Sequence, residues 1–180
     1  MAGISELLER NRDFAARVDL RRLAMPAVLP DRLLVVLTCL DPRVEPAGFL
    51  GLTTGDAGVL RNAGGRVDDG VMDDIAYLAM RFGVRMDIAV IHHTQCGTGL
   101  LADPDFRRAY ADRSGLGDAG LAAKAVTDPV VTVRDDVAKI LGSPLLASDL
   151  VAAVSGHVLR LETGLVDTVV ASVAPPLLHP

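Results

Sequence analysis

The sequence predicts an α/β fold: a mostly parallel central sheet flanked by helices, with a C-terminal strand hairpin. Three observations predict it. Two apolar runs, LLVVLTCL at residues 33–40 and MDIAVIHH at 86–93, show no sustained polar alternation, the pattern of parallel strands covered on both faces. Between them, a helical repeat of apolar residues beginning at Asp69 supplies the crossover that parallel neighbours require. Near the end, HVLRLETGLVDTVV divides into two strand-like runs around Glu162, Thr163 and Gly164, a hairpin turn with glycine where positive φ is wanted. The 180 residues carry no internal repeat and no linker-like shift in composition, so they read as one domain over 1–180. An N-terminal helix at about 5–18 precedes a core at about 31–180.

The elements follow in order. Leu7, Leu8, Asn11, Phe14, Ala15 and Val18 recur at helical spacing, with Ser5 placed to cap the helix and Glu6 in its first turn, where the dipole favours an acid. Pro26 and Pro30 precede the first strand, which ends at Cys39. Residues 41–70 are rich in glycine and read as turns and short elements, with Ala57–Asn62 as a second strand. In the helix from Asp69, apolar Val71, Ile75, Leu78, Ala79 and Phe82 share a face, and Gly83 stands where a C-cap glycine belongs. The next strand runs directly into HTQCGTG. DPDFRRAYADR reads as a short polar helix, while Gly115–Ala125 fits either helix or loop. Val133, Val137, Ile140 and Leu141 share a further helix face, capped by Thr132 and ended by Gly142 and Pro144. The tail APPLLHP reads as irregular.

Composition removes several classes of function. The net charge is 18 − 23 = −5, and the basic residues are scattered, so nothing forms the stripe that nucleic acid or an anionic membrane would need. No uncharged run reaches the roughly 18 apolar residues of a membrane span. Glu6, Glu9, Arg10, Arg12 and Asp13 occupy the place where a secretory signal needs an apolar core, so the chain reads as cytoplasmic. Only Cys39 and Cys96 are present, too few for a disulfide scaffold, which leaves metal binding, catalysis or burial as their uses.

Ligands of parallel sheets bind beyond the carboxyl ends of the strands, and both cysteines fall at such ends. His93 lies three residues before Cys96, a spacing at which two ligands on one turn reach the same ion. Two thiolates and an imidazole suit Zn²⁺, one per chain, and three protein ligands leave a fourth tetrahedral position for water. Two thiolates also neutralise the ion and weaken its acidification of water, so a nearby proton acceptor would help. Asp41 is suited to that role, or to rotating in as a fourth ligand that closes the site. Arg43 could hold the Asp41 carboxylate off the metal in a two-point pair, which makes the two residues an on/off device.

CLDPR (Cys39–Arg43), GDAGVLRNAGG (Gly55–Gly65) and HTQCG (His93–Gly97) resemble the three signature segments of the β-class carbonic anhydrases, in the same order. TVRDDVAKILGSPLL and GHVLRLETGLVDTV resemble that family's closing helix and hairpin, so the likeness runs over most of the chain from about residue 30. The resemblance implies zinc on Cys39, His93 and Cys96, a catalytic pair of Asp41 and Arg43, and reversible hydration of CO₂ to bicarbonate by zinc hydroxide. It also implies a homodimer or higher homo-oligomer, and it places the backbone of Ala63, Gly64 and Gly97 beside the substrate pocket. The chain departs from the family at Pro42, where a small residue is common, and at Gln95, where a small or acidic residue is common. Pro42 biases Asp41 towards extended backbone.

Two other functions are compatible with the same residues. One is a zinc hydrolase of carbon disulfide or carbonyl sulfide. The other is a non-catalytic zinc or redox-sensing protein in which Asp41 closes the site or the cysteines form a disulfide. His92, adjacent to His93 on a strand, points to the opposite face and should serve a structural hydrogen bond. His157 and His179 read as surface or packing residues, and Asp56 and Arg61 as structural partners. RNAGG lacks any phosphate-loop spacing and reads as tight turns.

Overall fold

A computed structural model describes residues 3–176. His179 and the end of the tail lie outside them. In chain order the regular elements are α1 (Ile4–Arg17), β1 (Arg32–Cys39), α2 (Pro46–Phe49), β2 (Gly58–Asn62), α3 (Asp69–Phe82), β3 (Arg85–His93), α4 (Pro104–Ser114), α5 (Asp118–Ala123), α6 (Pro129–Leu141), β4 (Val151–Leu159) and β5 (Val166–Val173). The five strands form one sheet in the order β2-β1-β3-β4-β5. The first four are parallel and β5 returns antiparallel to β4, as the sequence predicts.

The strand alternation divides the core. Val35 and Leu37 of β1, with Ile88 and Val90 of β3, face a large cluster built with Val71, Ile75 and Ala79 of α3 and Val133, Val137 and Ile140 of α6. Val36 and Ile91 face the other way, into a smaller cluster with Val44 and Leu159. A doubly covered sheet of this kind buries its strands from both sides, which is why they read as continuous apolar runs.

Strand order also fixes where a ligand can sit. From β1 the chain passes outward to β2, whereas from β3 it passes the opposite way to β4. The loops leaving the carboxyl ends of β1 and β3 therefore diverge and leave a crevice between them. Cys39 ends β1 and His93 ends β3.

Three local expectations are corrected, and one open reading is settled. The N-cap of α1 is Gly3, with Ser5 already inside the first turn. Thr132 does not cap α6. Asp128 does, accepting from the backbone of Val130 and Val131, with Pro129 at the first helical position. Gly115–Ala125 contains α5, whose Leu121 is buried. β4 begins at Val151, six residues before the HVLRL run, because its small residues are held by pairing with β3 rather than by their own preference. In α1 no residue is buried, and Leu7, Leu8 and Phe14 lie exposed.

Candidate metal centre

Cys39, His93 and Cys96 converge in the crevice, with one ligand atom from each lying within 4.8 Å of the others. The two sulfurs are 3.9 Å apart. Tetrahedral coordination with Zn–S bonds of about 2.3 Å places two sulfurs about 3.8 Å apart, so the separation suits a shared ion. Nδ1 of His93 lies 2.8 Å from the Thr94 carbonyl, which can only accept; Nδ1 therefore carries the proton. That leaves Nε2 with its lone pair, and it is buried with no hydrogen-bond partner among the described residues. An unpaired buried acceptor is costly, and a metal ion in the crevice would satisfy it.

The sulfurs share one hydrogen bond. It holds Cys96 down to about 6, while the same bond together with burial pushes Cys39 up to about 12. The shared proton favours thiolate character on one sulfur over the other, and a cation bound by both sulfurs would displace that proton. The Asp41 backbone N–H points at the Cys39 sulfur at 3.4 Å, and the Thr98 hydroxyl lies 3.1 Å from that of Cys96.

Asp41 does not join the cluster. Residues 41–44 form a β-turn closed by Val44 N–H on the Asp41 carbonyl at 2.9 Å, with Pro42 at the position where its fixed φ suits the turn. The turn brings Arg43 back over Asp41. Arg43 Nε donates to Oδ1 at 3.0 Å, Nη2 donates to Oδ2 at 2.7 Å, and the Arg43 backbone N–H adds a third bond to Oδ1 at 2.9 Å. The guanidinium holds the Asp41 carboxyl down to about 2. The expected two-point pair is therefore formed.

Ala63 and Gly97 line a cavity of about 270 Å³ with Cys39, Leu40, Asp41, Pro42 and Thr98. Gly64 does not line it; it packs behind, where a Cβ would meet Thr98, Arg66 and Val126. The same Ala63, Gly97 and Thr98 border an apolar chamber of about 240 Å³ walled by Leu101, Phe106, Tyr110, Leu116 and Leu121. Phe106 and Tyr110 stack 6.4 Å apart on α4, so a helix that reads as polar contributes the aromatic wall. A larger cavity, about 590 Å³, lies at the amino ends of the strands, away from the cluster.

Behind the cluster stands a network that sequence reasoning missed. Asp136 of α6 is fully buried and accepts from Arg66 at 2.7 and 3.1 Å, from Lys139 at 2.8 Å and from the Val67 backbone at 3.2 Å. His92 joins it, with Nε2 at 3.2 Å from both the Asp136 carboxylate and the Gly65 carbonyl, and Nδ1 at 2.8 Å from the Thr132 hydroxyl. His92 thus has the structural role its orientation implies. Gly65 has φ of 65° and lies so close to β1 that a Cβ would be 2.8 Å from the Cys39 nitrogen. Arg66 gave no signal because its partner is 70 residues away. Asp56 and Arg61 are structural but do not pair: Asp56 accepts from Thr53, while Arg61 spans the Cys39 and Asp41 carbonyls and Glu45. His157 is half-buried and bonded to Ser155 and Thr168.

The family model described as "Carbonic anhydrase" matches residues 34–105. Beta-carbonic anhydrase 1 of Mycobacterium tuberculosis is 30% identical over 164 residues, covering 91% of this chain and 96% of the relative. Carbon disulfide hydrolase of Saccharolobus solfataricus is 34% identical over 110 residues, covering 61% of this chain and 50% of the relative. Among solved structures, carbonic anhydrase from Streptococcus mutans superposes with a TM-score of 0.73 at 30% identity, covering 94% of this chain and 98% of that one. With a mostly parallel sheet, a Cys–His–Cys group suited to one zinc ion, and 30% identity over nearly the whole length of a β-carbonic anhydrase, this chain belongs to the β-carbonic anhydrase family of zinc enzymes.

Proposed function

We propose that the chain catalyses the reversible hydration of CO₂ to bicarbonate at zinc held by Cys39, His93 and Cys96, with Asp41 and Arg43 governing the fourth position. One observation carries this reading: two sulfurs and a free imidazole nitrogen converge while the adjacent carboxylate is turned away onto an arginine. Zinc, when bound, supplies a Lewis-acidic position at which water becomes a nucleophile near neutral pH.

Asp41 supplies the acceptor. Its Oδ1 takes two bonds from Arg43, whereas Oδ2 takes one, from Nη2. Oδ2 keeps a lone pair with which to accept a hydrogen from a water beside the cluster and so orient that water's oxygen towards CO₂. Arg43 restrains the carboxylate from swinging onto the ligand group. A permanently closed, sensing site would need Asp41 to abandon both guanidinium bonds, and the pair opposes that. Ala63 and Gly97 offer small walls to the cavity, and the apolar chamber beyond suits a small uncharged linear substrate.

The exposed apolar face of α1 supports a homo-oligomer, since Leu7, Leu8 and Phe14 require a covering surface. A site that uses both cysteines as thiolates fits the reducing cytoplasm. Among the described residues no helix is long and apolar enough to cross a membrane.

Stopped-flow CO₂ hydration by Asp41→Asn tests the reading: zinc content is expected to stay at one per chain while kcat falls roughly 100-fold. Full activity at full zinc would remove the pair from the mechanism. The half-length similarity to carbon disulfide hydrolase supports a second reading, attack on carbon disulfide or carbonyl sulfide. Rates with all three substrates on one sample separate them: the expected order places CO₂ first.

A further inference from the structure

Three loops that follow adjacent strands meet beside the cluster: residues 40–45 after β1, 94–96 after β3 and 160–165 after β4. Gln95, in the second, is the one non-glycine residue with positive φ among the described residues, at 57°. For a residue with a Cβ, that conformation is less populated than the right-handed one by a factor of roughly five to thirty. Contacts from elsewhere must hold it there.

The holding group is Glu162, at the β4–β5 turn. Gln95 Nε2 donates to Glu162 Oε1 at 3.0 Å, and the Thr94 hydroxyl donates to Oε2 at 2.9 Å, so one carboxylate grips two successive residues of the strained loop. The Leu161 N–H donates to the Thr94 hydroxyl oxygen at 3.0 Å, and the Thr94 N–H donates to the Leu159 carbonyl at 3.1 Å. The loop is thereby stitched to the end of β4. Held in this way, the Gln95 carbonyl accepts from Arg43 Nη2 at 3.1 Å. Nη2 carries two hydrogens. One serves Asp41 Oδ2, and Gln95 takes the other, which fixes the rotation of the guanidinium about its bonds to the carboxylate.

We propose that Glu162 is a positioning residue for the Asp41–Arg43 pair: by gripping Thr94 and Gln95 it keeps the strained carbonyl on Arg43, and thereby keeps both guanidinium bonds on Asp41. The inference rests on the role proposed above for that pair. Glu162 acts only through Gln95 and Arg43. This gives a use to Gln95, one of the two residues at which the chain departs from the family pattern: its amide reaches Glu162.

The test is a double-mutant cycle of Glu162→Ala and Gln95→Gly on the zinc-loaded enzyme. Two readouts are taken: kcat for CO₂ hydration, and the NMR signal of the Arg43 side-chain Nε–H, assigned by its loss in Arg43→Lys. Glu162→Ala is expected to keep one zinc per chain, to lower kcat roughly fivefold to thirtyfold, and to broaden the Arg43 signal by exchange with water. In the Gln95→Gly background the same substitution is expected to change neither readout, because glycine adopts positive φ unaided. An unchanged rate and signal in Glu162→Ala overturns the proposal. So does an equal loss in the Gln95→Gly background, since the effect then does not run through the strained peptide. Asp41→Asn separates the two claims: full activity in that variant removes the pair from catalysis, while the Arg43 signal still reports whether Glu162 holds the guanidinium.

Discussion

Replacing Asp136 by Asn removes a charge from the centre of the α6–β3 contact. The carboxylate is 0% exposed and the Arg66 side chain is 7% exposed, so their pairing takes place out of reach of water. An Asn keeps the shape but turns an amide N–H₂ towards Arg66 and Lys139, both of which can only donate. Leaving one member of a buried ion pair without its counter-charge costs about 3–5 kcal/mol, set against a total stability of about 5–15 kcal/mol for a typical domain. Urea unfolding at pH 7 measures this, at equal protein and free zinc concentrations because metal and partner subunits add stability by mass action. Replacing both charges together, Arg66→Met with Asp136→Leu, is expected to recover part of the loss and not all of it, because the Val67 N–H, His92 and Lys139 also lose their acceptor. The pH dependence follows from the sign of the shift. Burial disfavours the ionised Asp136, and bonds from His92, Arg66 and Lys139 outweigh burial, holding the carboxyl below its ordinary value. A lowered native value means the stabilisation is complete above the unfolded value of about 3.9 and is lost as pH falls towards the native one. The gap between wild type and Asp136→Asn therefore holds from about pH 5 upward and narrows below about pH 4. Equal midpoints at pH 7, or a gap that widens in acid, would refute this reasoning.

Gly65→Ala is expected to cost roughly 2–5 kcal/mol, because a Cβ at φ of 65° would press on the Thr38–Cys39 peptide, which cannot turn aside. It should also shed zinc faster during dialysis against a chelator, as the displaced strand end carries Cys39. Leu121→Ala, which empties part of the apolar chamber wall, is expected to cost about 2–5 kcal/mol by calorimetry while leaving zinc at one per chain.

What could be read from the sequence was what local pattern encodes. β1 and β3 announced themselves as unbroken apolar runs, and α3 by its periodicity and Gly83, because each buries a continuous face. Cys39, His93 and Cys96 were legible because strand ends in a parallel sheet gather at one rim, and Asp41–Arg43 because the turn joining them is local. Pro42, read only as a bias on Asp41, proves to seat that turn. The misses share a different cause. The start of β4 is built from small residues whose strand conformation comes from β3, and the caps of α1 and α6 depend on which polar residue the chain path selects. Arg66–Asp136, Glu162–Gln95 and the Phe106–Tyr110 wall are long-range or tertiary arrangements that no window of sequence contains. Gly64, which the resemblance places beside the pocket, packs so that a Cβ there would meet Thr98, Arg66 and Val126.

The central claim is tested most directly by measuring zinc content and CO₂ hydration on the same samples of wild type, Cys39→Ser and Cys96→Ser, with stopped-flow traces from about pH 7 to about pH 9. The account predicts one zinc per chain and fast hydration in the wild type, and loss of both together in each variant. Stoichiometric zinc in either cysteine variant would contradict the ligand set, and a fully loaded wild type that hydrates no CO₂ anywhere in that range would contradict the function.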